Sequence, residues 1–494
     1  MNAFSRRGAC PALSAPMQTG DGLLVRLNPV AGGLLPKALI GLGESALRHG
    51  NGIMEVTARG SLQIRGLTPA SARLLAVEVD ALGIAVRTGV PVETGPLAGL
   101  DTKEIVDPRP LAERIRAAID EAGLAQRLGP KVSVIVDGGG RLTMDAVTAD
   151  VRLVATRTNA GIKWQVAVAG DGQNAKPLVT VEDDAARDIA VAMLRMIAEK
   201  GREAHARDLT ERQLISLASW HSFAPPSVLP DISPTWGEIG SFAGGSPSAS
   251  LAIGESGDEG AISPQVGEMS GRTEGGAVER LPVPARFPIG IFDLTDGRAL
   301  GIGLPFGSMP AKKLIDLTRH AITFGATQIR LAPQRALLFV GLSPTACHSL
   351  QHAAATLGFV TNPTDPRARI AACPGAPACA SGRIATRDIA ETIAAEDGDI
   401  LDSSFTLHIS GCAKGCAHPG PAALTLVGGE NGAGLVVDGT AKALPAGYRP
   451  RYDAARGVGR IAAAIRGTRL RGETAATCLA RLGAAEIIET YRQE

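Results

Sequence analysis

Four cysteines in the second half of the chain have the types and spacing that could hold a metal centre. Cys373 and Cys379 are separated by five residues, and Cys412 and Cys416 by three. Both pairs lie in glycine- and proline-rich surroundings, "ACPGAPACASG" and "SGCAKGCAHPG". Because a 4Fe-4S cluster needs four thiolates that converge from tight turns, these four residues are predicted to bind one. Zinc is the alternative, although its cysteine pairs are usually closer and fall within one small module.

The other cysteines show no comparable spacing. The total of seven is odd, which argues against a disulfide framework and indicates a reducing compartment. The three that lie outside the paired turns are interpreted as packing or surface thiols: Cys10, Cys347 and Cys478.

Composition and charge exclude several classes of function. The 494 residues are 45% hydrophobic and carry 50 Lys and Arg against 49 Asp and Glu, a net charge of +1. The near-zero net charge argues against a basic surface for nucleic acid, and the 3% of aromatic residues argue against a base-stacking surface. Arg6 and Arg7 are not followed by the apolar stretch of an export signal, and no apolar run reaches membrane-spanning length. We therefore expect a cytoplasmic protein.

An internal repeat indicates how the elements that position the cysteines are organised. Asp21-Gly22 recurs 275 positions later as Asp296-Gly297, and at the same offset "GLTP" at 66–69 aligns with "GLSP" at 341–344. Leu82-Gly83 aligns with Leu357-Gly358, and no gap is needed. Each copy has the pattern strand, helix, strand, helix. The fold class predicted is therefore α+β, internally duplicated, with ferredoxin-like halves and two larger α+β domains.

These patterns predict six segments. Residues 224–288 are rich in Gly, Ser, Pro and Glu, a composition that predicts a disordered linker. The complete division is a flexible tail at 1–20, a ferredoxin-like half at 21–90, an α+β domain at 91–223, the linker at 224–288, a second half at 289–362, and an α+β domain with the cluster at 363–494.

A glycine run at 138–140, in "VDGGGRL", is interpreted as a hairpin turn between two strands rather than a nucleotide site. The chain has no G-x-G-x-x-G in a βαβ setting. If NADH is the reductant, we therefore expect it to act indirectly, through a separate electron-donating reductase.

The duplicated halves, the segment "TARGSLQIRGL" and the two cysteine pairs resemble the sirohaem sulfite and nitrite reductase superfamily. In that superfamily the fourth cysteine also bridges the cluster to the haem iron. Within it, "CPGAPACASG" and "HISGCAKGCAHPGPAALTLVG" are most similar to the precorrin-3B synthase family. The resemblance extends over nearly the whole chain outside the linker.

Departures from the reductase pattern separate the two activities. Reductases surround their small oxyanion with basic groups, which include an arginine and a Lys-x-Lys pair. In this chain Arg59 matches that arginine, and Lys131 matches the first lysine of the pair. The second lysine is Ser133 here, and the position of another expected arginine is Val90. With half of this set absent, a sirohaem-dependent sulfite or nitrite reductase becomes the alternative.

The resemblance to the synthase family implies oxidation of precorrin-3A to precorrin-3B with dioxygen, in aerobic cobalamin biosynthesis. This monooxygenase-type reaction hydroxylates the meso carbon between rings A and D, and a ring A acetate closes to a lactone. The tetrapyrrole carries several carboxylates, which bind best to arginine and lysine. We expect Arg59, Arg65 and Lys131 to bind them.

The resemblance also implies a mononuclear non-haem iron beside the cluster, and sirohaem only if the alternative holds. Histidine and carboxylate ligands are typical of such iron sites. His348 and His352 are interpreted as an exposed helix face and His408 as a packed strand residue, so no iron ligands and no catalytic residues are assigned. A third hypothesis, an iron-sulfur electron carrier, does not require so long a duplicated chain.

Overall fold

The computed structural model describes residues 11–30, 33–221, 232–233, 238–239 and 287–493. Nearly all of the predicted linker, and residues 1–10 of the predicted tail, lie outside this range. The described residues form an α+β structure that contains four five-stranded sheets. None of the helices described is long and apolar enough to cross a membrane.

The first ferredoxin-like half packs two helices on an antiparallel sheet. Its first strand falls within the segment predicted as a tail, because residues 17–19 pair with the strand that follows. The elements are β1 (Met17–Thr19), β2 (Gly22–Leu27), β3 (Gly33–Leu34), α1 (Pro36–His49), β4 (Ile53–Val56), β5 (Leu62–Leu67) and α2 (Pro69–Ala81).

The first larger domain follows, with one mixed sheet covered by helices. Its elements are β6 (Val92–Thr94), α3 (Arg109–Glu121), β7 (Val134–Asp137), β8 (Ala149–Thr158), β9 (Gly161–Gly170), β10 (Lys176–Val181), α4 (Asp183–Lys200) and α5 (Glu211–His221). Leu111, Ile115 and Ile119 form the buried face of α3, as the helical spacing predicts. Two short strands, β11 (Ile232–Ser233) and β12 (Glu238–Ile239), pair with each other.

The second ferredoxin-like half repeats the first, and the second larger domain follows it. The half comprises β13 (Gly290–Asp293), β14 (Arg298–Gly303), β15 (Ser308–Pro310), α6 (Ala311–Thr323), β16 (Gln328–Ala332), β17 (Ala336–Leu342) and α7 (Pro344–Thr356). The domain comprises β18 (Ile370–Ala372), α8 (Thr386–Glu396), β19 (Leu407–Ser410), β20 (Ala422–Gly429), β21 (Gly432–Gly439), β22 (Gly447–Arg449), α9 (Ala454–Thr468), α10 (Ala475–Leu482) and α11 (Ala484–Arg492).

The structure confirms the predicted duplication. Helices α1 and α6 begin at Pro36 and Ala311, and α2 and α7 at Pro69 and Pro344, in each case 275 positions apart. The halves also exchange a strand: β15 pairs with β4 of the first half, and β3 pairs with β16 of the second. One continuous apolar core therefore serves both halves.

The two larger domains share one topology. The strand orders are β6-β7-β8-β9-β10 and β18-β19-β20-β21-β22, and in each sheet the first three strands are parallel and the rest antiparallel. The hairpin predicted at residues 138–140 is therefore wrong, because β7 and β8 run in the same direction. The Asp137 carboxylate accepts hydrogen bonds from the N–H groups of Gly139 and Met144, which folds the glycines into a loop at the end of β7.

Candidate functional site

The sheet of the second larger domain brings the two cysteine loops together. Cys373 follows β18 directly, and Cys412 follows β19 after one glycine. Strands β18 and β19 are adjacent and parallel, so their carboxyl ends lie at the same edge of the sheet. The sequence order of strand then cysteine therefore places both pairs at one site.

Glycines allow the two loops to approach one another. The Gly411 N–H donates a hydrogen bond to the Cys373 Sγ at 3.1 Å, and the Arg383 N–H donates to the Gly411 carbonyl at 2.8 Å. A Cβ on Gly411 would lie 3.2 Å from the Cα atoms of both Gly375 and Gly382. Larger residues at these positions would separate the loops. The glycine-rich turns thus do what the sequence predicts of them, by letting the backbone approach sulfur.

The four thiols act on one another electrostatically. The Cys416 residue is exposed, yet partial desolvation raises the pKa of its thiol, and the negative charges of Cys373, Cys412 and Cys379 raise it further. Four thiolates this close repel each other unless cations lie between them. Among the described residues, no three His, Cys, Asp or Glu side chains are placed to share one metal ion. A 4Fe-4S cluster takes one cysteine per iron, so four cysteines on two adjacent loops are of the right type and number to hold one.

The histidines provide no iron site in the part of the chain that the structure describes. His348 and His352 are exposed on α7, as predicted. His408 is completely buried in β19, and its two ring nitrogens have no hydrogen-bond partner. Burial, with smaller contributions from His418 and Arg335, lowers the pKa of His408 to about 3 and keeps the ring neutral. Among the described residues, the histidines therefore provide no ligand set for the predicted non-haem iron.

A large basic cavity lies beside the cysteine loops. Its volume is about 1090 Å³, and its wall includes Pro419, three residues beyond Cys416. Most of the remaining wall comes from the first ferredoxin-like half and the first larger domain. Six basic side chains contribute to it, Arg26, Arg59, Arg87, Arg116, Lys131 and Arg207, against three acidic ones, Glu93, Asp120 and Asp150.

Two of the three predicted substrate-binding residues, Arg59 and Lys131, line this cavity. The Arg59 guanidinium donates hydrogen bonds to the Thr148 carbonyl at 2.8 Å and to the Ser133 Oγ at 3.2 Å. It also lies 3.6 Å from a carboxylate oxygen of Glu93. These contacts hold Arg59 in place while its side chain stays 38% exposed.

The third predicted residue, Arg65, does not line the cavity. Its side chain is only 5% exposed and pairs with Asp21 at 2.9 Å and Glu55 at 3.5 Å. It also donates a hydrogen bond to the Ala378 carbonyl at 2.7 Å, one residue before Cys379. The structure thus places Arg65 against the first cysteine loop, where it positions the backbone.

The sequence interpretation did not assign four of the cavity arginines, and Arg87 and Arg116 are two of these. Arg87 donates a hydrogen bond to the Val30 carbonyl at 3.3 Å, and Arg116 donates to the Val92 carbonyl at 2.6 Å. In the described part of the chain neither has a carboxylate within ion-pair distance. Burial lowers the pKa of both, and the charge of Arg87 lowers that of Arg116 further. The sequence signal was the position of Arg87, three residues before Val90.

Arg87 and Arg116 also line a smaller adjoining pocket of about 250 Å³. Arg109, Arg330 and Glu113 also line this pocket. Arg330 is already engaged with the carbonyls of Pro96 and Ala98, and Arg109 with Asp107. The Arg87 and Arg116 guanidinium groups are therefore the ones in this pocket that best suit an incoming anion.

Comparisons with known proteins agree with this fold. Residues 15–81 match the model of the nitrite/sulfite reductase ferredoxin-like half domain. A solved structure, the NirA protein of Mycobacterium tuberculosis, superposes with a TM-score of 0.67 at 17% identity over 94% of this chain and 84% of that one. The fold and the half-domain match thus define a protein of the sulfite/nitrite reductase-like class.

A curated relative identifies the family within that class. The precorrin-3B synthase of Sinorhizobium sp is 36% identical over 491 residues, which is 99% of this chain and 96% of that protein. The chain therefore belongs to the precorrin-3B synthase family. A more distant relative, the ferredoxin–nitrite reductase of Synechococcus elongatus, is 23% identical over 83% of this chain and 77% of its own length.

Proposed function

We propose that this enzyme oxidises precorrin-3A to precorrin-3B with dioxygen. One oxygen atom enters the macrocycle as a hydroxyl on the meso carbon between rings A and D, and the other leaves as water. Two electrons, derived from NADH through a separate reductase, and two protons balance the reaction. A ring A acetate then closes to a lactone. The observation that supports this best is the large basic cavity that extends to Pro419, beside the cysteine loops.

The cavity suits a large polycarboxylate. At about 1090 Å³ it is slightly larger than ordinary small-molecule pockets, which are roughly 300–1,000 Å³. Six basic side chains line it, whereas a small oxyanion needs only a few. Each acetate or propionate group of a precorrin is best bound by a bidentate arginine or a lysine. We therefore extend the proposed substrate-binding set from Arg59 and Lys131 to include Arg87 and Arg116.

Cys373, Cys379, Cys412 and Cys416 would hold the 4Fe-4S cluster. When bound, the cluster supplies electrons one at a time. The chain's own contribution is to place the substrate beside it, since Pro419 connects the second cysteine loop to the cavity wall. Arg65 holds the first loop through the Ala378 carbonyl. The arginines fix the orientation of the macrocycle, so that one meso carbon faces the reacting partner.

A sirohaem-dependent sulfite or nitrite reductase is the second candidate. The absence of basic groups at Val90 and Ser133 argued against it, but Arg87 and Arg116 supply positive charge to the same cavity. The basic wall alone therefore does not exclude an anion reductase. The whole-length relation at 36% identity favours the synthase, because the nitrite reductase relative is only 23% identical.

Two observations on the purified protein test the proposal. Anaerobically purified enzyme should show a broad sulfur-to-iron absorption without a chlorin-type haem band. With precorrin-3A, a reductant and dioxygen, it should form a product heavier by one oxygen atom. A bound chlorin-type haem together with rapid reduction of sulfite or nitrite would support the second candidate. We also propose a cytoplasmic location, since the odd cysteine count suits a reducing compartment.

A further inference from the structure

The turn between β16 and β17 has an unusual backbone. Gln334 and Arg335 both have positive φ, at 60° and 67°. The left-handed region normally takes Gly or Asn, and larger side chains adopt it at an energetic cost. The turn is fixed by two hydrogen bonds, from the Gln334 N–H to the Ala58 carbonyl at 2.8 Å and from the Leu304 N–H to the Arg335 carbonyl at 2.9 Å.

This turn directs the Arg335 side chain toward the second cysteine loop. The side chain passes over Gly307, where a Cβ would lie 2.8 Å from the Arg335 Cδ. Its guanidinium donates a hydrogen bond to the Ala417 carbonyl at 2.5 Å, one residue after Cys416. The strained turn and the glycine are thus both used to bring one cation to the loop.

The charge of Arg335 has no carboxylate partner among the described residues. Burial and the nearby positive charge of Arg387 lower its pKa to about 10, and the negative group that opposes this is the Cys373 thiol. Arg65, on the first loop, differs because Asp21 and Glu55 offset its charge. Removing a cation from water is costly, and a nearby negative charge offsets that cost more strongly than a neutral carbonyl does. Among the described residues, the negative group that faces Arg335 is the Cys373 thiol of the first cysteine loop.

We propose that Arg335 is the counter-cation of the iron-sulfur cluster and stabilises its reduced state. The proposal rests on the proposed cluster at the four cysteines. Adding an electron to a cluster held by four thiolates increases its negative charge, and a nearby guanidinium favours that change. Arg335 is a positioning residue, which acts on the cluster rather than on the substrate. Removing its charge should make reduction less favourable by about tenfold, or about 59 mV for one electron.

The test is the midpoint potential of the cluster in the full-length protein. Iron and labile sulfide are measured first, and reductive titration with dithionite is then followed by electron paramagnetic resonance. The variants are Arg335→Gln and Arg335→Lys. Arg298→Gln is the control, because it removes one charge from the same half at an exposed ion pair with Asp293. We expect Arg335→Gln to lower the potential, whereas Arg335→Lys and Arg298→Gln stay near wild type.

Two results would overturn the proposal. One is an Arg335→Gln potential equal to that of the Arg298→Gln control. The other is an Arg335→Lys shift as large as that of Arg335→Gln, since the charge would then not be the cause. If Arg335→Gln holds no cluster, the lysine variant decides: a near wild-type potential supports the proposal, and loss of the cluster contradicts it. A wild-type protein without iron or sulfide would instead refute the proposed cluster itself.

Discussion

Replacing Arg87 with methionine should weaken substrate binding while it leaves the fold intact. In the free protein Arg87 makes one long hydrogen bond, to the Val30 carbonyl, and lies close enough to Arg116 to lower the pKa of that residue. Its loss removes this hydrogen bond and an attraction to Glu93, and it relieves the repulsion of Arg116, so the net change in the folded state is small. Methionine keeps the apolar part of the side chain, so the wall of the cavity stays packed.

The size of the effect follows from the carboxylate that Arg87 is proposed to bind. A hydrogen bond to a charged group contributes about 1.5–3 kcal/mol, which corresponds to roughly a ten- to hundredfold increase in Kd. The assay is an anaerobic fluorescence titration with precorrin-3A, in which no turnover occurs. Arg114→Met is the matched control, because Arg114 lies on α3 but pairs with Asp183 and Asp184 instead of lining the cavity.

We expect the Arg114→Met variant to bind within about twofold of wild type, since exposed ion pairs contribute roughly 0–1 kcal/mol to stability and nothing to this cavity. Urea unfolding of Arg87→Met should give a midpoint equal to or slightly above that of wild type. An unchanged Kd for Arg87→Met would refute the role of this residue. A large loss of stability would show that its contacts in the free protein matter more than the geometry indicates.

Three further predictions concern the cluster, the pH dependence and the duplicated fold. Replacing Cys373, Cys379, Cys412 or Cys416 singly with serine should abolish full cluster content, measured as iron and labile sulfide, while Cys347→Ala keeps it; a serine variant with wild-type content and spectrum would remove that cysteine from the set. Burial raises the pKa of Glu104 to about 7. The ionised carboxylate is less stable in the folded protein than in the unfolded chain, so the contribution of Glu104 to stability is lost as pH rises from about 4.5 to 7. In denaturant titrations, Glu104→Gln should therefore stabilise the protein by about 1–3 kcal/mol at pH 8 and not at pH 4. Equal effects at both pH values would contradict this. A chain cut at a protease site inserted near residue 260 should elute as one complex on size-exclusion chromatography, because β3 and β15 are exchanged between the halves; separate fragments would contradict the shared core.

The repeat was predictable from the sequence because it acts through local signals. Gly and Pro at fixed spacing set where helices begin, so an ungapped offset of 275 positions translated directly into matching starts at Pro69 and Pro344. The meeting of the two cysteine loops was predictable for a similar reason, because each pair lies in one short glycine-rich loop that directly follows a strand. The exchange of β3 and β15 had no such signal, since it depends on which sheet edge lies nearby.

The cavity residues were harder to predict, because a side chain's direction depends on tertiary contacts. Arg65 lies on β5, as the sequence pattern indicates. Its side chain, however, contacts Asp21 and the Ala378 carbonyl instead of the cavity. Arg87 sits near the position where an arginine was expected, yet only the path of the chain after α2 shows that it reaches the same wall. The prediction of a hairpin at residues 138–140 was wrong because a glycine run can also form the loop that follows a parallel strand.

Oxygen incorporation distinguishes the proposed oxidation from anion reduction in a single assay. Enzyme with a full cluster is reduced, mixed with precorrin-3A under ¹⁸O₂, and the tetrapyrrole is analysed by mass spectrometry. The proposed function predicts one ¹⁸O atom in the macrocycle and the second in water. A macrocycle without label, formed by an enzyme that rapidly consumes sulfite or nitrite, would contradict it.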